Sequence, residues 1–167
     1  MSPLAPLLEA PLLVQIHATA AILAVVLGPL ALFRQRRDRW HRLTGYVWTG
    51  AMAVTALSSF GIHGLRLIGP YGPIHALSVL TLVSLVFGVR AAIRGDIVAH
   101  RQTMRSLYLF ALVLAGIFTL LPGRLMNRVL AGGSGEAGWL PVIGLLGVLA
   151  LGLVALRRGG ERRRRKA

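Results

Sequence analysis

Residues 10–33 read APLLVQIHATAAILAVVLGPLALF, without one Asp, Glu, Lys or Arg, and residues 34–42 follow as RQRRDRWHR. A helix needs about 20 apolar residues to cross a hydrocarbon core roughly 30 Å thick. The first stretch therefore predicts a membrane-spanning helix and the second a basic loop in water. Four more stretches lack these four residue types: 43–65, 67–89, 106–123 and 137–156. Gly69-Pro70-Tyr71-Gly72-Pro73 is a turn signal inside the third, because glycine and proline punctuate regular structure. Its helix is expected to start near Ile74 and run past Val89 to Ile93. The predicted helices lie near 11–33, 43–66, 74–93, 104–122 and 138–157.

Composition agrees. The chain has 167 residues, the length of one ordinary domain, and is 55% hydrophobic but only 14% charged, where a soluble domain carries about a quarter charged residues. Mean hydropathy is +0.68. The net charge of +14 sits in arginines between apolar runs. A nucleic-acid binder would set its basic residues among polar ones, so no nucleic-acid partner is expected. Cysteine is absent, which excludes disulfides, Cys-ligated zinc, iron–sulfur clusters and thiolate-ligated haem. A metal or haem would rest on the five histidines.

Charge sets the orientation. Sixteen Lys and Arg fall in the loop after the first span, the loop after the third and the C-terminal tail, against three, Arg66, Arg124 and Arg128, on the other side. Basic loops stay in the cytoplasm. The N-terminus is expected outside and the C-terminus inside. The first basic residue is Arg34, so the start lacks the charged region of a signal peptide and the first span is expected to be retained. The basic tail, Arg162 to Lys166, is expected to meet anionic lipid headgroups at the cytoplasmic face.

The chain repeats itself. Ile16-His17-Ala18 matches Ile74-His75-Ala76 at an offset of 58, His41-Arg42-Leu43-Thr44 matches His100-Arg101-Gln102-Thr103 at 59, and Phe60, Arg66 and Leu67 match Phe118, Arg124 and Leu125 at 58. The expected fold is all-α and integral to the membrane: a pseudo-two-fold four-helix bundle of two hairpins, with repeats about 11–68 and 69–126 in a core of 1–130. An outer loop and fifth transmembrane helix over 131–157 and a basic tail over 158–167 complete it. Gly45, Thr49 and Ala53, and Ala111, Ala115 and Thr119, recur every four residues, a spacing that lets helices approach closely in lipid.

The symmetry places the chemistry. His17 and His75 become equivalent near the outer face, His41 and His100 near the inner face, and Arg66 and Arg124 at the outer ends of the second and fourth helices. His63 also lies at the outer end, where Ser59, one turn earlier, can supply it a hydrogen bond. Ionisable groups in hydrocarbon are costly and face the bundle interior. Neutral imidazole ligates haem iron, copper or zinc. His17 and His75 are the expected axial ligands, with His63 as substitute, and Arg66 and Arg124 are expected on haem propionates. The metal candidates are the same three histidines, His17, His75 and His63. From His17 to His41 is 24 residues, about 36 Å of helix. His41 and His100 are therefore expected at headgroup depth in Arg-rich loops, as an interface belt, a second haem site or a headgroup-phosphate clamp. Asp38 and Asp96 are expected to pair with nearby arginines. No carboxylate lies within a span, which argues against paired-carboxylate catalysis and a carboxylate proton relay.

The chain resembles a bacterial predicted-membrane-protein family, domain of unknown function 2306. The matching elements are His17 with Gly28-Pro29, His41-Arg42 with Gly45, Ser58-Ser59-Phe60 with His63, Gly69-Pro70 with Pro73-Ile74-His75, His100-Arg101 with Met104, and Leu121-Pro122-Gly123-Arg124. They cover about residues 14–128 and imply a multi-span inner-membrane protein without an assigned activity. The layout is also similar to transmembrane dihaem b-type cytochromes, which place histidine pairs near each face of a four-helix core.

The leading functional expectation is a multi-pass inner-membrane protein that binds b-type haem through paired histidines for electron transfer. The alternative is a non-catalytic accessory or assembly subunit of a larger membrane complex. A small transporter or metal channel is disfavoured by the lack of a midplane charge.

Overall fold

A computed structural model describes residues 4–33, 38–62, 73–122, 124–131, 136–144 and 146–147. These residues are helical, with no strand among them: α1 (Ala5–Leu8), α2 (Leu12–Phe33), α3 (Arg39–Ser59), α4 (Pro73–Ile93), α5 (Ile97–Ser106), a π-helical turn (Leu107–Leu112), α6 (Val113–Leu120), α7 (Leu125–Ala131) and a 3-10 turn (Glu136–Trp139). Among the described residues three stretches are long and apolar enough to cross a membrane: Leu12–Leu32, His75–Ile93 and Ile97–Leu120. Most of the predicted fifth span, 138–157, falls outside the described residues.

The chain divides into two compact units, residues 8–115 and residues 1–7 with 116–167. In the larger unit α2, α3, α4 and α5 pack in sequence, and the π turn returns to α2 and closes a four-helix bundle. This order puts α2 diagonal to α4, and α3 diagonal to α5. All four sides feed one core: Ala24 and Ala31 from α2, Trp48, Ala51 and Met52 from α3, Leu85 from α4, and Met104, Leu107 and Ala111 from α5 and the π turn. Small core residues let backbones approach where lipid supplies no hydrophobic drive between helices. The outer faces are apolar too. Val26, Leu30, Leu57, Leu80, Val83 and Phe87 are exposed, the pattern of a surface meant for lipid rather than water.

Two helices begin earlier than their apolar runs suggest. The run 43–66 predicted for the second helix becomes Arg39–Ser59, and 104–122 for the fourth becomes a helix from Ile97. The cause is capping. Asp38 accepts the backbone N–H of His41 at 2.9 Å and Asp96 that of Ala99 at 3.0 Å, satisfying donors the helix itself leaves open. Asp38 and Asp96 thus cap helices. α4 ends at Gly95, whose φ of +81° suits glycine. Asp96 N–H bonds Ala91 C=O and Gly95 N–H bonds Ala92 C=O, the paired C-terminal bonds of a Schellman motif. Asp96 then opens α5 at once, making a tight hairpin.

α3 has the length of a span, but Arg39, His41 and Arg42 occupy its first turn and Gly, Thr and Ser recur along it. Packed between α2 and α4, it buries Trp48, Ala51, Met52, Ala56, Ser58 and Ser59. The close-packing glycines are not on the stripe that spacing suggests. A Cβ at Gly45 would meet open space, whereas one at Gly28 would lie 2.1 Å from the Tyr108 ring.

Gly28 also precedes a break in the ladder of α2. Pro29 lies inside this helix and has no N–H for the carbonyl of Val25, four residues back. Tyr108, carried by the π turn, donates its hydroxyl to that carbonyl at 3.2 Å. Trp48 donates its indole N–H to Ala24 C=O at 3.0 Å. Elsewhere Thr19, Thr44, Thr55 and Thr81 bond the carbonyl four residues back, which satisfies hydroxyls on helices that face lipid.

In the smaller unit, Asn127 is fully buried. Its amide donates to the carbonyls of Leu120 at 2.7 Å and Gly138 at 2.5 Å, tying the end of α6 and the 3-10 turn to α7.

Candidate functional site

The predicted outer histidines converge on one end of α3. His17 sits five residues into α2, and antiparallel packing brings it to Ser58 at the end of α3, Nδ1 to Oγ at 3.0 Å. The Ser58 hydroxyl already donates to Val54 C=O at 2.6 Å. His17 Nδ1 and the Ser58 hydroxyl share a hydrogen bond whose direction follows the ring tautomer. Ser59 turns to the opposite neighbour and shares a 2.5 Å hydrogen bond with Ser78 of α4. The bond expected between Ser59 and His63 falls on a residue outside the described ones. Phe60 packs on His75, ring centroids 5.8 Å apart and planes at 51°. His75, Ser78 and Ser59 are buried. Ser58-Ser59-Phe60 is thus a hub that fixes both histidines from diagonal helices.

At the opposite end, α3 carries His41 and α5 carries His100. The loops predicted around His41 and His100 are helical first turns, because Asp38 and Asp96 start the helices ahead of them. His100 Nδ1 lies 2.9 Å from Gly88 C=O of α4. A carbonyl only accepts, so Nδ1 donates here. Seventeen residues separate His41 from Ser58, which places the two ends about 25 Å apart along α3.

Of the remaining site candidates only Arg124 is among the described residues. His63 and Arg66 lie outside the described residues. Arg124 belongs to the smaller unit, where its guanidinium stacks over the Phe118 ring, 4.6 Å from the centroid. Among the described residues no group of three or more His, Asp or Glu side chains is placed to hold a metal ion. Sequence reasoning missed Ser58, Gly88 and Tyr108. Ser58 and Gly88 had a readable signal: each is a small residue at the level where an antiparallel neighbour carries a histidine. The π turn that presents Tyr108 had none.

Apolar helices facing outward around a small-residue core, with polar side chains turned to carbonyls or to one another, define an α-helical multi-span membrane protein. The family comparison makes the second step. The model of the family described as Predicted membrane protein (DUF2306) matches residues 14–155, most of the chain, and the chain belongs to this family. No curated protein matches it, and no solved structure does.

Proposed function

We propose that this chain is a five-span bacterial inner-membrane protein, N-terminus outside, that holds b-type haem for electron transfer. One observation supports the reading above others. His17 and Phe60, the ring that packs on His75, meet the same end of α3, and Nδ1 of His17 and of His100 is held by Ser58 and by the Gly88 carbonyl. Metal-ligating histidines are held this way, the second nitrogen bonded to a carbonyl or other acceptor so that the first is aimed and basic. The residues therefore fit an imidazole-ligated iron. His17 and His75 would hold the outer haem, with His63 as substitute, and His41 and His100 an inner one. Arg66 and Arg124 are the candidates for the propionates, as charge-assisted donors. Bound haem would supply one-electron chemistry. The protein's own residues fix ring orientation, and the apolar outer faces keep the site in lipid.

The test is haem content after expression with adequate haem supply. The wild-type protein should purify with a Soret band, and His17→Ala and His75→Ala should each remove the outer haem. A colourless wild-type protein that co-purifies with a respiratory complex would overturn this reading in favour of the accessory-subunit one.

A further inference from the structure

α4 and α5 turn back on each other through Gly95 and Asp96, so residues equally far from the turn face each other. Gly88, seven residues before Gly95, meets Thr103 and Met104, eight and nine residues after it. Glycine inside a helix is unfavourable for its backbone entropy, and this contact gives it a reason to be there. A Cβ at Gly88 would lie 3.1 Å from Thr103 Cγ2 and well inside contact distance of Met104 Cε. Met104 is 4% exposed and belongs to the core with Trp48, Met52 and Leu85, so it has little room to yield. His100 stands three and four residues before Thr103 and Met104, on the same face of α5. Its Nδ1 donates to Gly88 C=O at 2.9 Å. One residue of α4 thus receives the imidazole at its carbonyl and the side chains of the next turn at its Cα. The absent side chain sets how near α5 comes, and that distance decides whether the ring reaches the carbonyl.

We propose that Gly88 is the positioning residue of His100: its bare Cα lets α5 approach until Nδ1 bonds the Gly88 carbonyl, and this bond selects Nε2 as the nitrogen left to ligate. In a neutral imidazole a proton held on Nδ1 puts the lone pair on Nε2, and a ligating ring is commonly aimed by such a bond to a backbone carbonyl. What His100 ligates rests on the inner-haem reading; how the ring is held does not. The glycine acts through the seam and touches no ligand itself. Gly28 meets the Tyr108 ring and Gly61 meets Leu13 in equally close contacts, but among the described residues Gly88 alone joins such a contact to a histidine bond.

The experiment is nitrogen NMR of the detergent-purified, haem-free full chain with isotope-labelled histidine, at about pH 8.5, where an unperturbed imidazole is neutral. The His100 signals are those lost in His100→Gln. Wild type should show His100 mainly as the Nδ1-protonated tautomer. Gly88→Val pushes α5 away, and the ratio of Nδ1- to Nε2-protonated ring should fall about fivefold, the worth of one hydrogen bond. Gly88→Ala should lower it about twofold on the same scale, and carries the test if the valine variant does not fold. Met104→Ala added to Gly88→Ala removes the nearest clash and should restore the wild-type ratio. Leu85→Ala opens the same core one turn along α4 without filling the seam, and should leave the ratio unchanged although it destabilises the fold. In protein loaded with haem, Gly88→Val should weaken the inner haem about 10–100-fold and spare the outer component of the spectrum. A wild-type ratio in both glycine variants, or an equal fall in Leu85→Ala, would overturn the proposal. A wild-type protein that takes up no haem would overturn the haem reading instead, and the tautomer ratios would still decide this one.

Discussion

The hydrogen bond from Tyr108 to Val25 predicts a coupling between Tyr108 and Pro29, 79 positions apart in sequence. Pro29 leaves Val25 C=O without its helical donor, and the Tyr108 hydroxyl supplies one from the π turn at 3.2 Å. Tyr108→Phe keeps the ring against Gly28 and removes only the hydroxyl. Side-chain hydrogen bonds in membrane proteins average about 0.6 kcal/mol and reach about 1.7, and this one serves a carbonyl with no other intrahelical donor, so a cost of about 1–1.5 kcal/mol is expected. In a Pro29→Ala background the new backbone N–H reaches Val25 C=O. Tyr108→Phe should then cost less than about 0.5 kcal/mol, a coupling near 1 kcal/mol. Reversible unfolding in mixed micelles, titrated with a denaturing detergent, measures all four corners of the cycle. Equal cost of Tyr108→Phe in both backgrounds would refute the claim that the tyrosine answers the proline.

Gly28→Ala should destabilise by about 1–3 kcal/mol, since its Cβ would lie inside the Tyr108 ring, the range for overpacking; Gly45→Ala, facing open space, should be neutral or stabilising by up to about 1 kcal/mol. Thermal unfolding of the two variants checks this pair. Asp96→Ala should cost about 0.5–2 kcal/mol by exposing the start of α5, and Asp96→Asn should recover most of it, as hydrogen exchange at Ala99 N–H will report. Ser58→Ala should lower haem affinity about 10–100-fold through loss of the bond that aims His17, with helicity unchanged by circular dichroism.

Bundle membership was legible because arginines bracket each apolar run. His17 and His75 were placed at one end by counting alone, since two hairpins of equal length must return to the same face. Helix starts were less legible: hydropathy stops at a charge, while a helix with an aspartate cap continues through it, so Arg39 to Arg42 and Ile97 to Arg101 read as loops. The capping pattern around Asp38 and Asp96 was in the sequence and outweighs the charge signal, because a cap satisfies backbone donors that arginine leaves alone. Spacing of small residues misled at Gly45 for a different reason. A stripe shows where helices are able to approach, and only the neighbour's large side chain, here Tyr108 against Gly28, decides where they do. Nothing in Leu107–Leu112 announces a π turn, since the register shift is imposed by packing against α2.

The most direct measurement is the reduced-minus-oxidised absorption spectrum of the full-length protein purified from haem-replete cells. The account predicts a six-coordinate, low-spin b-type signal whose outer component disappears in His17→Ala and in His75→Ala alike. A spectrum with no haem signal, or one that both substitutions leave intact, would contradict it.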